Sequence, residues 1–407
     1  MTVRRLTVFL LSLALLISAV PAMAALEEGT IELYSQKKEA IEIYDQIIAD
    51  FMAENPDVKV VQTTTADGST FLSRVASNDI PDIGGVFLQS AYFNMMEEGY
   101  FLDLTGEEFL TKVSPEILEL ASYNGKNYVL PITMNGYALY INTEIFAQND
   151  LAVPTTYDEL IAVCEALKTA GINPIAFPFK STGNLGQNFE RLLGGVVDHE
   201  AWLVAEEVAA GASHNDYADF VDYIQKWYDL SRYAGLDPLS TDDDDCNRMF
   251  ANGEVAMLFS GTWGNSVFMT LNPELEYEAV IPPTFSGVEA FTCGTVDIAL
   301  TIGADSDNIE GAKRFLEYFV SEGPAQKFAE GDKNPNVVLS TNYEIPHMSA
   351  ISTAMQNGKL SLIPSTYWPA GYRDELQILL QQLLLDGDVN SFMGSWDQMT
   401  VDFYTAE

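Results

Sequence analysis

The feature that most constrains this fold is the alternation of strand-like and helix-like segments in the first third of the chain. Residues 30–34 and 58–61 have strand character, and 40–54 between them carries apolar residues at helical spacing until an Asn-Pro pair ends it. A shorter helix and a strand beginning near Pro81 continue the pattern. Because parallel strands need a crossover connection, this alternation predicts a parallel α/β sheet.

The rest of the chain predicts a second unit interleaved with the first. Strand-like stretches recur at 128–132, 137–141, 255–259, 277–282 and 296–302. Residues 185–252 have mostly helical patterns, and so does most of the chain after 311. Thr156 and Glu159 have the spacing of a capping box, which predicts a helix start there. Interleaved segments of this kind indicate two lobes that the chain crosses more than once.

The N-terminus has the pattern of a secretory signal peptide. Arg4 and Arg5 precede the apolar stretch 6–20, and Ala22-Met23-Ala24 matches an A-x-A cleavage site. The stretch is short for a membrane span, although an uncleaved anchor is the alternative. No later segment reaches 18 apolar residues. We therefore expect residues 1–24 to be removed and the mature protein to be exported and soluble.

Composition and motifs argue against nucleic-acid binding and catalysis. The net charge of −39 repels phosphate backbones, and the sequence carries no Walker, G-x-S-x-G or H-E-x-x-H motif. The three cysteines are widely spaced and are expected to be isolated buried thiols. His199, His214 and His347 are scattered and are expected on the surface. Carboxylates are too numerous to single out a glycosidase pair. We expect a non-enzymatic protein without a cofactor.

An acidic run from Asp242 offers a metal site that the sequence does not favour. Asp243, Asp245, Asn247 and Glu254 match four ligand positions of a calcium-binding loop, but arginine stands where the turn needs glycine. Carboxylates also complement the dipole at a helix start. A helix start is therefore the favoured interpretation, and no metal is expected.

Two tryptophans lie in loops that also contain glycine or proline. Trp263 stands in Gly261-Thr262-Trp263-Gly264 after a strand, and Trp368 lies between tyrosine and proline. An indole held on a loop can stack on the C–H face of a sugar while nearby amides and carboxylates bond its hydroxyl groups. The alternative is ordinary aromatic core. The loop positions favour ligand contact.

Several segments in order along the chain resemble the family 1 extracellular solute-binding proteins, the sugar-binding receptors of ABC importers. The matching segments are 50–60, 80–83, 98–104, 123–131, 140–146, 154–160, 250–257 with 261–263, and 312–319. The resemblance implies an α/β fold of two lobes with a central ligand cleft and hinge-crossing segments. It places 25–136 and 277–322 in the first lobe and 137–276 and 323–407 in the second.

The resemblance also implies where a sugar would bind, since ligands of open α/β sheets lie beyond the carboxyl ends of strands. Trp263 matches the stacking tryptophan of the family, Asn135 lies where the chain first crosses, and Trp368 lies in a later aromatic loop. The candidate ligand-binding residues are Tyr34, Gln36, Asp82, Phe87, Gln89, Asn135, Asn184, Gln187, Trp263, Gly294, Asp297, Trp368 and Arg373. The polar ones could equally be satisfied loop residues, and Asp82 could orient backbone.

Together with these features, the resemblance implies a monomeric receptor that captures a sugar, in this family often an oligosaccharide, closes, and delivers it to an ABC permease. The overall charge favours a neutral glycan, although Arg373 near Trp368 could favour a uronate. Many relatives carry a lipid-attachment cysteine where Ala24-Ala25 stands here, so a free periplasmic or secreted protein is expected. The alternatives are a receptor for another solute such as a polyamine, an exported carbohydrate-active enzyme, and a sensor module.

Overall fold

The computed structural model describes residues 29–37, 40–65, 68–88, 90–196, 201–287, 289–356 and 359–405. The predicted signal peptide, Gln89 and His199 lie outside the described residues. None of the described helices is both long enough and apolar enough to cross a membrane.

Strands and helices alternate through most of the chain. The strands are β1 (Thr30–Ser35), β2 (Lys59–Thr64), β3 (Ile83–Val86), β4 (Val129–Asn142), β5 (Asn173–Ala176), β6 (Val255–Gly261), β7 (Tyr277–Val280), β8 (Thr292–Ile302) and β9 (Leu360–Leu362). The helices of the first half are α1 (Ile41–Glu54), α2 (Gly68–Ala76), α3 (Ser90–Glu97), α4 (Pro115–Leu120), α5 (Thr143–Gln148), α6 (Tyr157–Thr169) and α7 (Thr182–Val196). Those of the second half are α8 (Ala201–Ala209), α9 (Ala218–Ser231), α10 (Asp243–Ala251), α11 (Gly264–Leu271), α12 (Ile309–Phe319), α13 (Glu322–Asp332), α14 (Ser349–Gln356), α15 (Tyr372–Asp386) and α16 (Val389–Thr405).

The strands form one mixed sheet in the order β2-β1-β3-β8-β4-β6-β5, with β7 on β4 and β9 on β8. β1, β2 and β3 run parallel, as the alternation predicts. β8 runs antiparallel to both β3 and β4, so the sheet as a whole is mixed beyond the parallel strands of the first third. The antiparallel strands arise because distant parts of the chain, not successive crossover units, enter the middle of the sheet.

β4 connects the two halves of the sheet. It is a single, fully buried strand of 14 residues, where the sequence predicted two strands around Asn135-Gly136. Its first part pairs with β8 as far as Gly136, and from Tyr137 onward it pairs with β6 and β7. The change of partner lies where the sequence placed the first crossing. One continuous strand therefore carries the chain from one core to the other.

Apolar side chains form one large core around each half of the sheet. The first core contains β1, β3, the start of β4 and α12, and the second contains the end of β4, α7, α9 and α16. The helix α1 faces the first core through Ile43, Ile47 and Phe51, the spacing that predicted it. The capping box of α6 is confirmed, since Thr156 and Glu159 bond each other's backbone amides.

Two short ranges pack differently from the predicted lobe boundaries. Tyr277 and Ala279 of β7 pair with the second part of β4 and lie among second-half residues, although 277–322 was assigned to the first lobe. Phe328 and Val338 pack in the first core, although 323–407 was assigned to the second. Strand pairing and helix packing, which local patterns do not show, decide these positions. The division of the chain into lobes otherwise stays a prediction.

Other local predictions have mixed outcomes. Cys164, Cys246 and Cys293 are buried free thiols, as expected. Asp242 caps α10 by accepting a bond from the Asp245 amide, which confirms the helix start. The surface position expected for His214 is wrong: its ring is fully buried and stacks on an indole. A lone histidine in a polar stretch gives no sign of such packing.

Candidate functional site

A cavity of about 100 Å³ opens beside Trp263 in the second half of the molecule. It lies beyond the carboxyl end of β6, where α11 begins, and it is lined by Tyr137, Pro178, Asn184, Gln187, Asp243, Phe259, Ser260 and Trp263. Three predicted site residues, Asn184, Gln187 and Trp263, therefore come together here. Aromatic rings with amide, hydroxyl and carboxylate groups are the combination that sugar binding requires.

The indole of Trp263 is held between a glycine and a buried arginine. A Cβ atom added to Gly261 would lie 2.0 Å from the six-membered ring of Trp263, so the indole packs directly on the glycine backbone. The guanidinium carbon of Arg191 lies 5.2 Å from the ring centroid, within cation–π range. These contacts fix the indole, which remains half-buried at the cavity wall.

Arg191 belongs to a buried polar network that reaches from α7 to the first half of the sheet. Its Nη1 donates to Asn135 Oδ1 at 3.0 Å, and Asn135 Nδ2 donates to Asp297 Oδ1 at 3.0 Å. Asp297 in turn lies 2.5 Å from the Nζ of Lys37, which also lies 2.7 Å from Asp332. Two predicted site residues, Asn135 and Asp297, are therefore brought together as links of this network.

Lys37 carries the central positive charge of the network. Burial by itself would lower the pKa of Lys37, but the facing carboxylates of Asp297 and Asp332 outweigh it and raise the pKa well above its ordinary value. The ammonium group is therefore charged. Together with Arg191 it balances the charges of the two carboxylates in this network.

Gln36 and Phe87 lie at the edge of the first half of the sheet, beside the same network. They line a small cavity, about 10 Å³, together with Lys37 and Asp297. The Nε2 of Gln36 donates to the hydroxyl of Tyr92 at 2.6 Å. Both predicted residues thus follow strands as expected, although they do not line the cavity beside Trp263.

Three predicted residues have structural positions instead. The ring of Tyr34 is buried against Phe71, and its hydroxyl bonds Thr65 at 2.6 Å. Asp82 precedes β3 and accepts the backbone amide of Glu32 at 2.8 Å. Trp368 is 1% exposed and packs on a tyrosine in the second core. These ligand-contact predictions are corrected because each side chain is already used by the fold.

Arg373 and Gly294 also differ from the prediction. The Nε of Arg373 lies 3.0 Å from the buried carboxylate of Glu190, and its Nη2 donates to the Gly183 carbonyl at 3.0 Å. The guanidinium therefore joins α15 to α7. Gly294 allows β8 to approach β4, since an added Cβ would lie 1.9 Å from the backbone oxygen of Asn135.

Sequence reasoning missed four charged residues of this region: Lys37, Arg191, Asp243 and Asp332. Lys37 lies two residues after the end of β1 and directly after the candidate Gln36, so its position after a strand could have indicated it. Asp243 was considered only as a metal ligand or helix start. Nothing local marks Arg191 or Asp332, because their partners are distant in sequence.

The chain is similar to known solute-binding proteins. A profile described as bacterial extracellular solute-binding protein matches residues 34–326. The chain is 28% identical over 329 residues to the multiple sugar-binding protein of Streptococcus mutans serotype c, covering 77% of this chain and 76% of that protein. It is 21% identical over 394 residues to the melibiose/raffinose/stachyose-binding protein MelE of Bacillus subtilis, covering 93% and 92%.

Solved structures show the same fold. RafE in complex with raffinose superposes with a TM-score of 0.82 at 22% sequence identity, covering 92% of this chain and 99% of that one. This similarity confirms the predicted two-lobed α/β fold. Because the family profile covers well over half of the sequence, the chain belongs to the bacterial extracellular solute-binding protein family.

Proposed function

We propose that this protein is the receptor of an ABC importer, which captures an oligosaccharide between its lobes and delivers it to membrane permease subunits. The observation that carries the proposal is the half-buried Trp263 at the wall of a cavity that also presents amide and carboxylate groups. An immobilised indole offers a flat apolar surface to a sugar ring, and the polar groups can bond its hydroxyls.

The relatives support an oligosaccharide over a single sugar. The Streptococcus mutans protein is named for multiple sugars, MelE for melibiose, raffinose and stachyose, and RafE was solved with raffinose. The ligand site of our proposal comprises Asn184, Gln187 and Trp263, with Tyr137 and Asp243 as further contacts. Gln36 and Phe87 are the proposed contacts from the first lobe.

Closure of the two lobes would complete the site. A ligand drives closure only through contacts that are better in the closed state, so both lobes must touch it. β4 runs continuously between the halves and carries Asn135, which links the network on one side to Arg191 on the other. The network is well placed to fix the geometry around which the lobes move.

The family is extracellular, which agrees with export of this chain. We propose that the signal peptide is cleaved after Ala24, that no lipid is attached there, and that the mature protein is a monomer. We also propose that it binds its ligand without turnover, like the binding proteins it resembles.

A thermal-shift screen of the purified mature protein tests the proposal. The panel contains melibiose, raffinose, stachyose, maltodextrins, xylo-oligosaccharides and polyamines, and each mixture is checked for product. A ligand at about 100 times its Kd should stabilise the protein by about 2.7 kcal/mol. A shift with one oligosaccharide class and no product is expected. A shift with polyamines alone, or release of product, would contradict the proposal.

A further inference from the structure

One charged side chain, Asp243, contributes to the wall of the cavity beside Trp263. The other described residues of the wall are aromatic, amide, hydroxyl or proline side chains. Asp243 begins α10 and is half-buried, and its carboxylate accepts a bond from Asn247 Nδ2 at 2.9 Å. The cavity therefore presents an acceptor group with negative charge close to the stacking indole.

No cation of the described residues forms an ion pair with this carboxylate. The buried guanidinium of Arg191 bonds Asn135 and the Cys293 carbonyl oxygen. Arg373 lies against Glu190. Lys180 pairs with Asp242 at 2.9 Å. These three cations already have protein partners, although Arg191 also lies on the Trp263 indole. Burial of Asp243 raises the pKa of its carboxyl group, as expected for an uncompensated charge.

We propose that Asp243 determines the substrate class of this site: it accepts hydroxyl hydrogen bonds from a neutral sugar stacked on Trp263 and excludes sugars that carry a carboxylate. The inference rests on the proposed sugar-binding function. A carboxylate is an acceptor with two oxygens and matches adjacent hydroxyl donors of a pyranose ring. A uronate in the same place would bring a second negative charge against it in a partly desolvated cavity, where repulsion is weakly screened.

The test compares matched neutral and acidic ligands by titration calorimetry at pH 7.5. The probes are raffinose, melibiose and xylobiose, each with a derivative in which one sugar has been oxidised to its uronic acid. For the sugar that it binds, the wild-type protein should have a Kd about 100-fold lower for the neutral form than for the uronic acid. This ratio is the size expected for two like charges about 5 Å apart at a partly buried site. Asp243→Asn should reduce this preference to about tenfold or less.

Asp244→Asn is the matched control, because it removes the same charge from the neighbouring, exposed residue of α10. It should leave the preference unchanged. An acidic ligand that binds the wild type as tightly as its neutral partner would overturn the inference while leaving the sugar receptor intact. An unchanged preference for the neutral ligand in folded Asp243→Asn would also overturn the inference. Failure of every sugar in both series to bind would overturn the proposed function itself.

A second measurement follows the pH dependence of this preference in the wild type. When the pH is lowered from 7.5 to 4.5, a carboxyl group whose pKa is raised by burial takes up more of its proton than a uronic acid does. The preference of the wild type for neutral ligands should therefore shrink as the pH falls. The titratable groups around Asp243 are Asp242, Asp244, Tyr137 and Cys246. The Asp244→Asn control separates the contribution of the exposed Asp244 carboxylate from that of Asp243. A preference that is constant over this range would contradict the assignment.

Discussion

Replacing Lys37 by methionine should lower the free energy of unfolding by about 3–5 kcal/mol, the usual cost of removing one partner from a buried ion pair. Methionine keeps the length and the apolar stem of the side chain but removes the ammonium group. Its loss leaves the carboxylates of Asp297 and Asp332, at 2.5 and 2.7 Å from Nζ, without a compensating charge. The Asp332 side chain is fully buried, so water cannot replace the lost contact.

Urea unfolding at pH 7.5, followed by tryptophan fluorescence and circular dichroism, measures this effect. Lys180→Met is the matched control, since it breaks a 2.9 Å pair with Asp242 whose side chains are 57% and 40% exposed. That change should cost no more than about 1 kcal/mol. Adding Asp332→Asn to Lys37→Met should recover part of the stability, because it removes one of the two stranded charges. A loss for Lys37→Met no larger than that of the control would refute the reasoning.

Three further substitutions test other parts of the structure. Burial lowers the pKa of His214 from 6.5, so the unfolded chain binds the proton more tightly than the folded protein does. When the pH falls from 7.5 to 5.5, the free energy of unfolding should therefore decrease more in the wild type than in His214→Phe. Equal decreases in urea unfolding would contradict this. Gly261→Ala places a Cβ 2.0 Å from the Trp263 ring and should weaken sugar binding at least tenfold in calorimetry, whereas Gly323→Ala, with open space around it, should not. Trp368→Ala removes a core side chain and should cost about 3–5 kcal/mol of unfolding free energy while changing sugar affinity less than twofold; a selective loss of affinity would restore the ligand contact first predicted.

The parts of the fold that were predicted correctly depend on patterns among residues close together in the sequence. The helical spacing of Ile43, Ile47 and Phe51 and the capping box at Thr156 depend on neighbours within a few residues. The Asn135-Gly136 pair has the pattern of a turn, which predicted two separate strands, but it lies inside one long strand. A Cβ on Gly136 would lie 2.5 Å from Thr292 Oγ1, so close strand packing, and not a turn, requires the glycine.

Some residues of the candidate site could be predicted from local patterns, and others could not. Trp263 was found because glycines flank it after a strand, but Trp368 carries a similar loop pattern and is buried in the core. Lys37 lies far from both Asp297 and Asp332 in the sequence, and only the fold brings it against the two carboxylates. Partnerships of this kind leave no periodicity or spacing in a single sequence. They therefore became visible only in the structure.

The most direct test of sugar capture at Trp263 is titration calorimetry of Trp263→Ala with the oligosaccharide that gives the strongest thermal shift. Loss of stacking and burial should weaken binding by at least about 2 kcal/mol, roughly 30-fold. Trp202→Ala is the control, since Trp202 packs on Tyr367, outside the cavity, and its removal should leave affinity unchanged. Affinity that is unchanged in folded Trp263→Ala would contradict the account.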